Sequence, residues 1–214
     1  MTSLRTTTVP AIPDSAIARD ATELIRSVES DLLYHHSLRV YSWGAMRGSL
    51  RGLRYDPELL YIGAMFHDIG LVDGHRSAHD RFEVDGANAA REFLRSHGVT
   101  GDALRIVWDA IALHTTPGIP EHKEPEVALV TAGVEYDVLG LGYEEIAPED
   151  RDAVLAAYPR IDFKESIIQA FADGFADKPE TTFGTMNDDV LAEKQPGFER
   201  SNFCAIIRGS KHST

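Results

Sequence analysis

Cysteine is nearly absent from the sequence, and so are long apolar runs. Cys204 is the single cysteine among 214 residues, which excludes an intrachain disulfide and any zinc finger built on several cysteines. No apolar run approaches the roughly 18–20 residues that a membrane-spanning helix needs. Residues 1–13 also lack the apolar stretch of a secretory signal. These absences predict a cytoplasmic protein.

Positive charge is scarce as well. Arg and Lys together number 21, only five of them Lys, whereas Asp and Glu number 34 and bring the net charge to −13. A surface of this sign repels polyanions, so we expect no nucleic acid and no membrane as a partner. The sequence also lacks a glycine-rich phosphate-binding loop. A small-molecule substrate is therefore expected, and a homo-oligomer is compatible with the composition.

The residues that are present repeat with helical spacing. Apolar side chains recur at three- and four-residue intervals, and no segment alternates with period two over the length of a strand. This pattern predicts an all-α fold. The predicted helices lie near residues 14–25, 32–50, 56–70, 82–97, 102–114, 125–139, 148–158, 162–175 and 198–208.

The chain is expected to form one domain after a short arm. Two prolines and three consecutive threonines predict that residues 1–13 are a flexible N-terminal arm, and residues 14–214 are predicted to be a single helical domain. The core of this domain is placed at about residues 32–140, and a C-terminal helical extension at about 147–210. The stretch 176–197 mixes Pro, Gly, Asn and Thr and is predicted to be irregular.

Ionisable residues stand on the apolar stripes of several predicted helices. His36 replaces an apolar residue in one stripe, and His114 and Asp137 extend two others. His67 and Asp68 end a helix that is otherwise almost wholly apolar. Because an unpaired buried carboxylate or imidazole costs several kcal/mol, these groups are expected to share a partner. Two histidines and two carboxylates around a divalent metal would satisfy them together.

Each of these residues also has an ordinary structural explanation. A core-facing histidine is more often a hydrogen-bonded core residue than a metal ligand, and a lone aspartate on a stripe is more often a helix cap or one member of a buried ion pair. Arg39, three residues after His36, is a candidate for such a pair. The combination and the order of the residues, rather than any single one, favour a metal site.

This order resembles the HD-domain superfamily of metal-dependent hydrolases. The likeness extends from about Tyr34 to Leu139 and rests on the strings HHSLRVYSWG at 35–44, LLYIGAMFHDIG at 59–70 and VTAGVEYDVLG at 130–140. The resemblance implies an HD-type helical bundle with additional C-terminal helices. It further implies one divalent metal, with zinc expected and iron or manganese as alternatives, held by four ligands: His36, His67, Asp68 and Asp137.

Within the superfamily the sequence is most similar to cyanamide hydratases. The shared strings are HSLRVYSWG at 36–44, FEVDG at 82–86 and AIALH at 110–114, whereas the sequence from Ala147 onward is closer to HD proteins described as phosphohydrolases. The likeness implies addition of metal-activated water to cyanamide, giving urea, or to a related small nitrile. The alternative is an HD-type phosphohydrolase acting on a nucleotide or another phosphomonoester.

The resemblance also suggests roles for individual residues in this hydration. Asp68 is expected to orient the attacking water, and His114 is expected either to carry the proton or to act as a further metal ligand. Glu83 is expected to line the substrate pocket or to support a ligand, with a solvated first-turn position as the alternative. His79, in the loop after the His67-Asp68 pair, is a candidate extra ligand for a two-metal site.

Overall fold

The computed structural model describes residues 9–211. This range consists of ten α-helices, short 3₁₀ and π segments, and the loops that connect them. This range contains no β-strand, so the all-α prediction is confirmed. The helices are α1 (Ala16–Val28), α2 (Asp31–Leu50), α3 (Pro57–Phe66), α4 (Phe82–Ser96), α5 (Asp102–Ala112), α6 (Pro125–Val134), α7 (Pro148–Ala157), α8 (Phe163–Phe175), α9 (Asn187–Lys194) and α10 (Phe203–Arg208).

Short polar side chains define the starts of the first three helices. Ser15 accepts a hydrogen bond from the backbone N–H of Ala18 at the start of α1, and Ser30 caps α2 in the same way. Asp56 caps α3, whose first residue is Pro57, a position where the missing N–H of proline has no cost.

The helix α3 forms the centre of the bundle and packs against α1, α2, α4, α5 and α6. All of its residues from Leu60 to Phe66 are buried, which explains why this helix is apolar on every side. Its burial places the residues that follow its C-terminus, His67 and Asp68, deep inside the protein.

The helices α2 and α6 approach each other closely because glycine lies at their crossing. A Cβ atom at Gly133 would lie 2.2 Å from the carbonyl oxygen of Val40, and one at Gly44 would lie 2.7 Å from a backbone oxygen of α6. His36 is one turn before Val40, and Asp137 is one turn after Gly133. The crossing therefore sets the distance between these two side chains.

The C-terminal region departs from the prediction at residues 176–197. This stretch was expected to be irregular, but it contains a 3₁₀ turn, Pro179–Thr182, and the helix α9. Leu191 of α9 is fully buried in a cluster with residues of α2, α4 and α8, so burial outweighs the weak helix propensity of the segment. The last helix is also shorter than predicted and begins at Phe203 rather than near residue 198.

A buried lysine holds the loop after α3. Lys178 is 1% exposed, and its ammonium group donates to the backbone oxygens of Ser77 and Asp80 and to the carboxylate of Asp85. Removing a lysine from water is costly unless its donors are satisfied. These bonds therefore tie the polar loop to the C-terminal region.

Part of the predicted N-terminal arm lies against the helical domain. Residues 1–8 of that arm, and residues 212–214 at the other end, fall outside the described residues. The hydroxyl of Tyr41 donates to the carbonyl oxygen of Ala11 at 2.7 Å, and Val9 packs against the apolar cluster that contains Trp43.

No helix within residues 9–211 has both the length and the apolar character needed to cross a bilayer.

We expect Gly133→Ala to destabilise the protein by about 1–3 kcal/mol, because the new methyl group would collide with backbone of α2. The free energy of unfolding, measured by denaturant titration, tests this. Gly209→Ala is the matched control, since a Cβ atom there would meet nothing nearer than 3.3 Å. Equal stability of the two variants would contradict the close helix crossing.

Candidate metal centre

Three histidines and one aspartate meet at one end of the bundle, and all four are buried. His36 lies on α2, His67 and Asp68 directly follow α3, and His114 follows α5. From Oδ2 of Asp68, Nε2 of His67 lies at 3.2 Å and Nε2 of His36 at 3.7 Å. Nε2 of His114 lies 3.7 Å from the other carboxylate oxygen, Oδ1. The two oxygens of one carboxylate thus face different histidines.

The opposite side of each imidazole ring is held by a hydrogen-bond acceptor. Nδ1 of His67 donates to the carbonyl oxygen of Ala64 at 2.7 Å, and Nδ1 of His114 donates to that of Ile111 at 2.6 Å. Nδ1 of His36 lies 2.7 Å from the carboxylate of Asp137. A ring that donates through Nδ1 keeps a free lone pair on Nε2 when it is neutral. All three Nε2 atoms therefore point their lone pairs toward Asp68.

The inner atoms of the cluster have no hydrogen-bond partner among residues 9–211. They are Nε2 of His36, His67 and His114 and both oxygens of Asp68. Buried polar atoms are rarely left without partners, and five together mark a place where something else binds. Neutral imidazoles and a carboxylate are the ligands that zinc, iron and manganese accept in proteins.

The spacing of these atoms also fits a metal. Ligand atoms of His36, His67 and Asp68 lie within 4.8 Å of one another. In a tetrahedral zinc site with bonds of about 2.0–2.1 Å, neighbouring ligand atoms are about 3.3 Å apart. The observed separations of 3.2 and 3.7 Å lie close to that value. The three residues therefore fit a divalent metal, with His114 beside them.

Burial and mutual charge set the protonation of the cluster. Burial lowers the pKa of His114 to about 4, and it also lowers the pKa of His36. Burial opposes the charges of both Asp68 and His67, but their mutual attraction outweighs it, so the pKa of Asp68 lies below its usual range and that of His67 lies above. His36 and His114 are consequently neutral and Asp68 is ionised near neutral pH, the forms in which these groups bind metals.

Asp137 takes a different position from the one predicted for a metal ligand. Both of its oxygens already accept hydrogen bonds, from His36 and from Arg39 at 2.8 and 2.9 Å. The indole N–H of Trp43 donates to it as well, at 2.9 Å. Asp137 thus orients His36 and fixes its tautomer rather than offering a free oxygen to the cluster. The ion pair between Asp137 and Arg39 is the structural alternative to a metal ligand that the sequence analysis considers for this type of residue.

Glu83 lies behind the cluster rather than in the pocket wall predicted for it. It is fully buried and accepts hydrogen bonds from Arg81, Thr115 and Asn187. Burial opposes the effect of Arg81, but the pKa of Glu83 still falls below its usual value. Through Thr115, the residue after His114, Glu83 supports the cluster from behind.

His79 is not part of this arrangement. It is exposed in the loop between α3 and α4, and the one potential metal-binding group within residues 9–211 contains His36, His67 and Asp68 without it. The structure therefore does not bring His79 to the place expected of an extra ligand.

A buried carboxyl group that the sequence did not reveal lies near the cluster. Glu29, at the end of α1, is 8% exposed, and neither of its oxygens has a hydrogen-bond partner among the described residues. Burial, and then the charge of Asp68, raise its pKa well above the usual value. A glutamate beside the helix cap Ser30 looks like a solvated residue in the sequence, so no pattern signalled its burial.

A small chamber opens onto the inner atoms of the cluster. Its volume is about 140 Å³, and His36, His67, Asp68 and His114 form its floor. No Lys or Arg is among the described residues that line it. The remaining walls are mainly apolar: Thr115, Pro117, Val134, Glu135, Val138, Leu139, Leu141, Phe171 and Met186.

We expect Asp68→Ala and Asp137→Asn to differ in metal content. Asp68→Ala removes a ligand and should abolish stoichiometric metal binding, whereas Asp137→Asn should weaken the affinity about 10–100-fold by releasing His36. Elemental analysis after metal loading, with a chelator titration, measures both. Asp152→Asn, an exposed position, is the control. Complete metal loss in folded Asp137→Asn would show that Asp137 is itself a ligand.

The family comparison agrees with this geometry. The sequence model of the HD domain family matches residues 33–158, more than half of the chain, and this span includes the whole cluster. No curated protein matches the sequence at a significant level. The predicted HD resemblance is therefore confirmed at the level of the superfamily. The chain belongs to the HD domain family, whose proteins are generally metal-dependent hydrolases.

Proposed function

We propose that the protein is a metal-dependent hydratase that adds water to a small neutral nitrile or a related molecule, in the manner of the hydration of cyanamide to urea. One observation carries the proposal: five inner atoms of His36, His67, Asp68 and His114 are buried without partners and face a small chamber that has no cationic wall.

A divalent metal, for which zinc is the expected identity, fits the ligand atoms of His36, His67 and Asp68. Held there, it would lower the pKa of water toward neutrality and polarise the nitrile. Asp68 keeps its second oxygen, Oδ1, available to orient the attacking water. The backbone carbonyl of Ala64 and the carboxylate of Asp137 hold the two imidazole rings in place.

We assign the proton transfer to His114. Its neutral Nε2 lies 3.7 Å from Oδ1 of Asp68 and lines the chamber. The water oxygen forms a bond to the nitrile carbon while His114 accepts a proton from that water. The same proton then passes to the nitrile nitrogen, and the resulting imidic acid tautomerises to the amide. One water molecule is added, and His114 returns to its neutral form.

The chamber favours a neutral substrate over a phosphomonoester. Phosphate sites use Arg, Lys or backbone N–H groups to balance the charge of the substrate. Here the described walls contain the carboxylates of Asp68 and Glu135 and no cationic side chain. A phosphohydrolase would therefore have to balance the charge of its substrate with the metal, without help from Lys or Arg among the described residues that line the chamber.

The test is to incubate the metal-loaded protein with cyanamide and with small nitriles and to measure the urea or amide that forms. We expect His114→Gln to keep its metal and to lose about 10²–10⁴-fold in kcat, the usual effect of removing a general acid–base group. Loss of metal in His114→Gln would instead identify His114 as a ligand. His97→Gln, far from the chamber, is the control.

A panel of nucleotides and phosphomonoesters, assayed for phosphate release, tests the alternative. The hydratase proposal predicts no release above that of the Asp68→Ala variant. Phosphate release that disappears in Asp68→Ala, together with no hydration of any nitrile, would replace the proposal with the phosphohydrolase.

A further inference from the structure

The chamber has the size of a single small organic ring. Its volume of about 140 Å³ is close to that of an apolar protein cavity of about 150 Å³ known to bind benzene. A liquid water molecule occupies about 30 Å³, so the chamber exceeds the needs of a water and a two- or three-atom substrate. It is also much too small for a nucleotide.

The inner walls beside the cluster are hydrocarbon. Val134 is the last residue of α6, Val138 lies in the π segment that follows it, and Phe171 comes from α8. An amino group placed against these walls would find no acceptor on them and would lose its hydrogen bonds to water. A hydrocarbon group in the same place would gain by leaving water.

The rim of the chamber is apolar as well. Leu139 is 56% exposed, Leu141 is 50% exposed and Met186 is 42% exposed, and all three line the chamber. They belong to two separate segments, one after α6 and one before α9. Large apolar side chains gathered at the opening of a cavity mark a binding site more often than an isolated surface leucine does.

Apart from the cluster residues, Glu135 is the one residue with a charged side chain among the described residues that line the chamber. It is partly exposed, and its carboxyl interacts with Arg47 and Arg51 of α2, which are not among the residues lining the chamber. The polar atoms of the chamber therefore concentrate on its floor, where the reaction would take place, and its upper part is apolar.

We propose that the substrate is a compact neutral molecule with a hydrocarbon body of about three carbons attached to its reacting polar group, because a chamber of benzene size holds about six non-hydrogen atoms and the water and the polar group take about three of them. The proposal rests on the proposed hydratase function, and it narrows the substrate class to small alkyl nitriles and their relatives. Val134, Val138 and Phe171 surround the hydrocarbon body, while the polar group faces His114 and Asp68. Cyanamide has no such body and fills the chamber poorly.

Two measurements on the metal-loaded protein test this proposal separately from the hydratase function. The first is binding of benzene, which cannot be hydrated, measured by calorimetry and by its competition with substrate. The second is kcat/KM for acetonitrile, isobutyronitrile and cyanamide. Each buried methylene should raise kcat/KM about fourfold, so isobutyronitrile should exceed acetonitrile by at least about tenfold.

Val138→Thr is the decisive variant, because it makes one wall polar without changing its volume. It should weaken benzene binding at least about fivefold and reduce the advantage of isobutyronitrile. Val99→Thr, a partly buried position outside the chamber, is the matched control. Leu141→Asn at the exposed rim is a second variant that places no polar group in the core, and it should act in the same direction.

The outcomes separate the two proposals. If benzene binds and Val138→Thr weakens that binding, but no nitrile is hydrated, the result would support a substrate with a hydrocarbon body and would reject the hydratase function. Hydration of cyanamide with no preference for hydrocarbon substituents, and no benzene binding, would support the hydratase and overturn the substrate class proposed here.

Discussion

The site depends on one constraint: each buried imidazole must satisfy its Nδ1 within the protein while leaving Nε2 free. The carbonyl oxygens of Ala64 and Ile111 do this for His67 and His114 from within the last turn of their own helices. His36 lies in the second turn of α2, where the following N–H groups of the helix occupy the carbonyls, and it needs Asp137 from the segment after α6. The close crossing of α2 and α6 at Gly133 makes that bond possible. Fold and site are therefore specified by the same contacts.

The imidazole Nε2 atoms and the Asp68 oxygens therefore lie without hydrogen-bond partners among the described residues, in an interior that is otherwise mainly apolar. The pKa of His114 is lowered by burial to about 4, and that of His36 is lowered by burial as well, whereas the attraction between His67 and Asp68 keeps the pKa of Asp68 low and raises that of His67. A metal that binds here therefore competes with a proton mainly at His67. A divalent cation would satisfy the Asp68 charge and the imidazole lone pairs at once.

Much of this could be predicted from the sequence. The apolar stripes placed His36, His67, Asp68 and His114 inside the bundle, and their order identified the HD superfamily. The stripes could not show that Arg39 and Trp43 occupy the oxygens of Asp137, because a periodic pattern gives the face of a residue and not its partner. Nor could they predict α9, whose buried Leu191 depends on contacts that form only in the tertiary structure.

Above all, we expect His36, His67 and Asp68 to hold a metal through imidazole nitrogen and carboxylate oxygen, with His114 beside it. X-ray absorption spectroscopy on protein purified without a chelator or a histidine tag, combined with elemental analysis, tests it most directly. We expect one divalent ion per chain, with nitrogen and oxygen ligands and the outer-shell scattering of at least two imidazole rings. A protein that retains no metal after loading, or an ion without imidazole scattering, would contradict it.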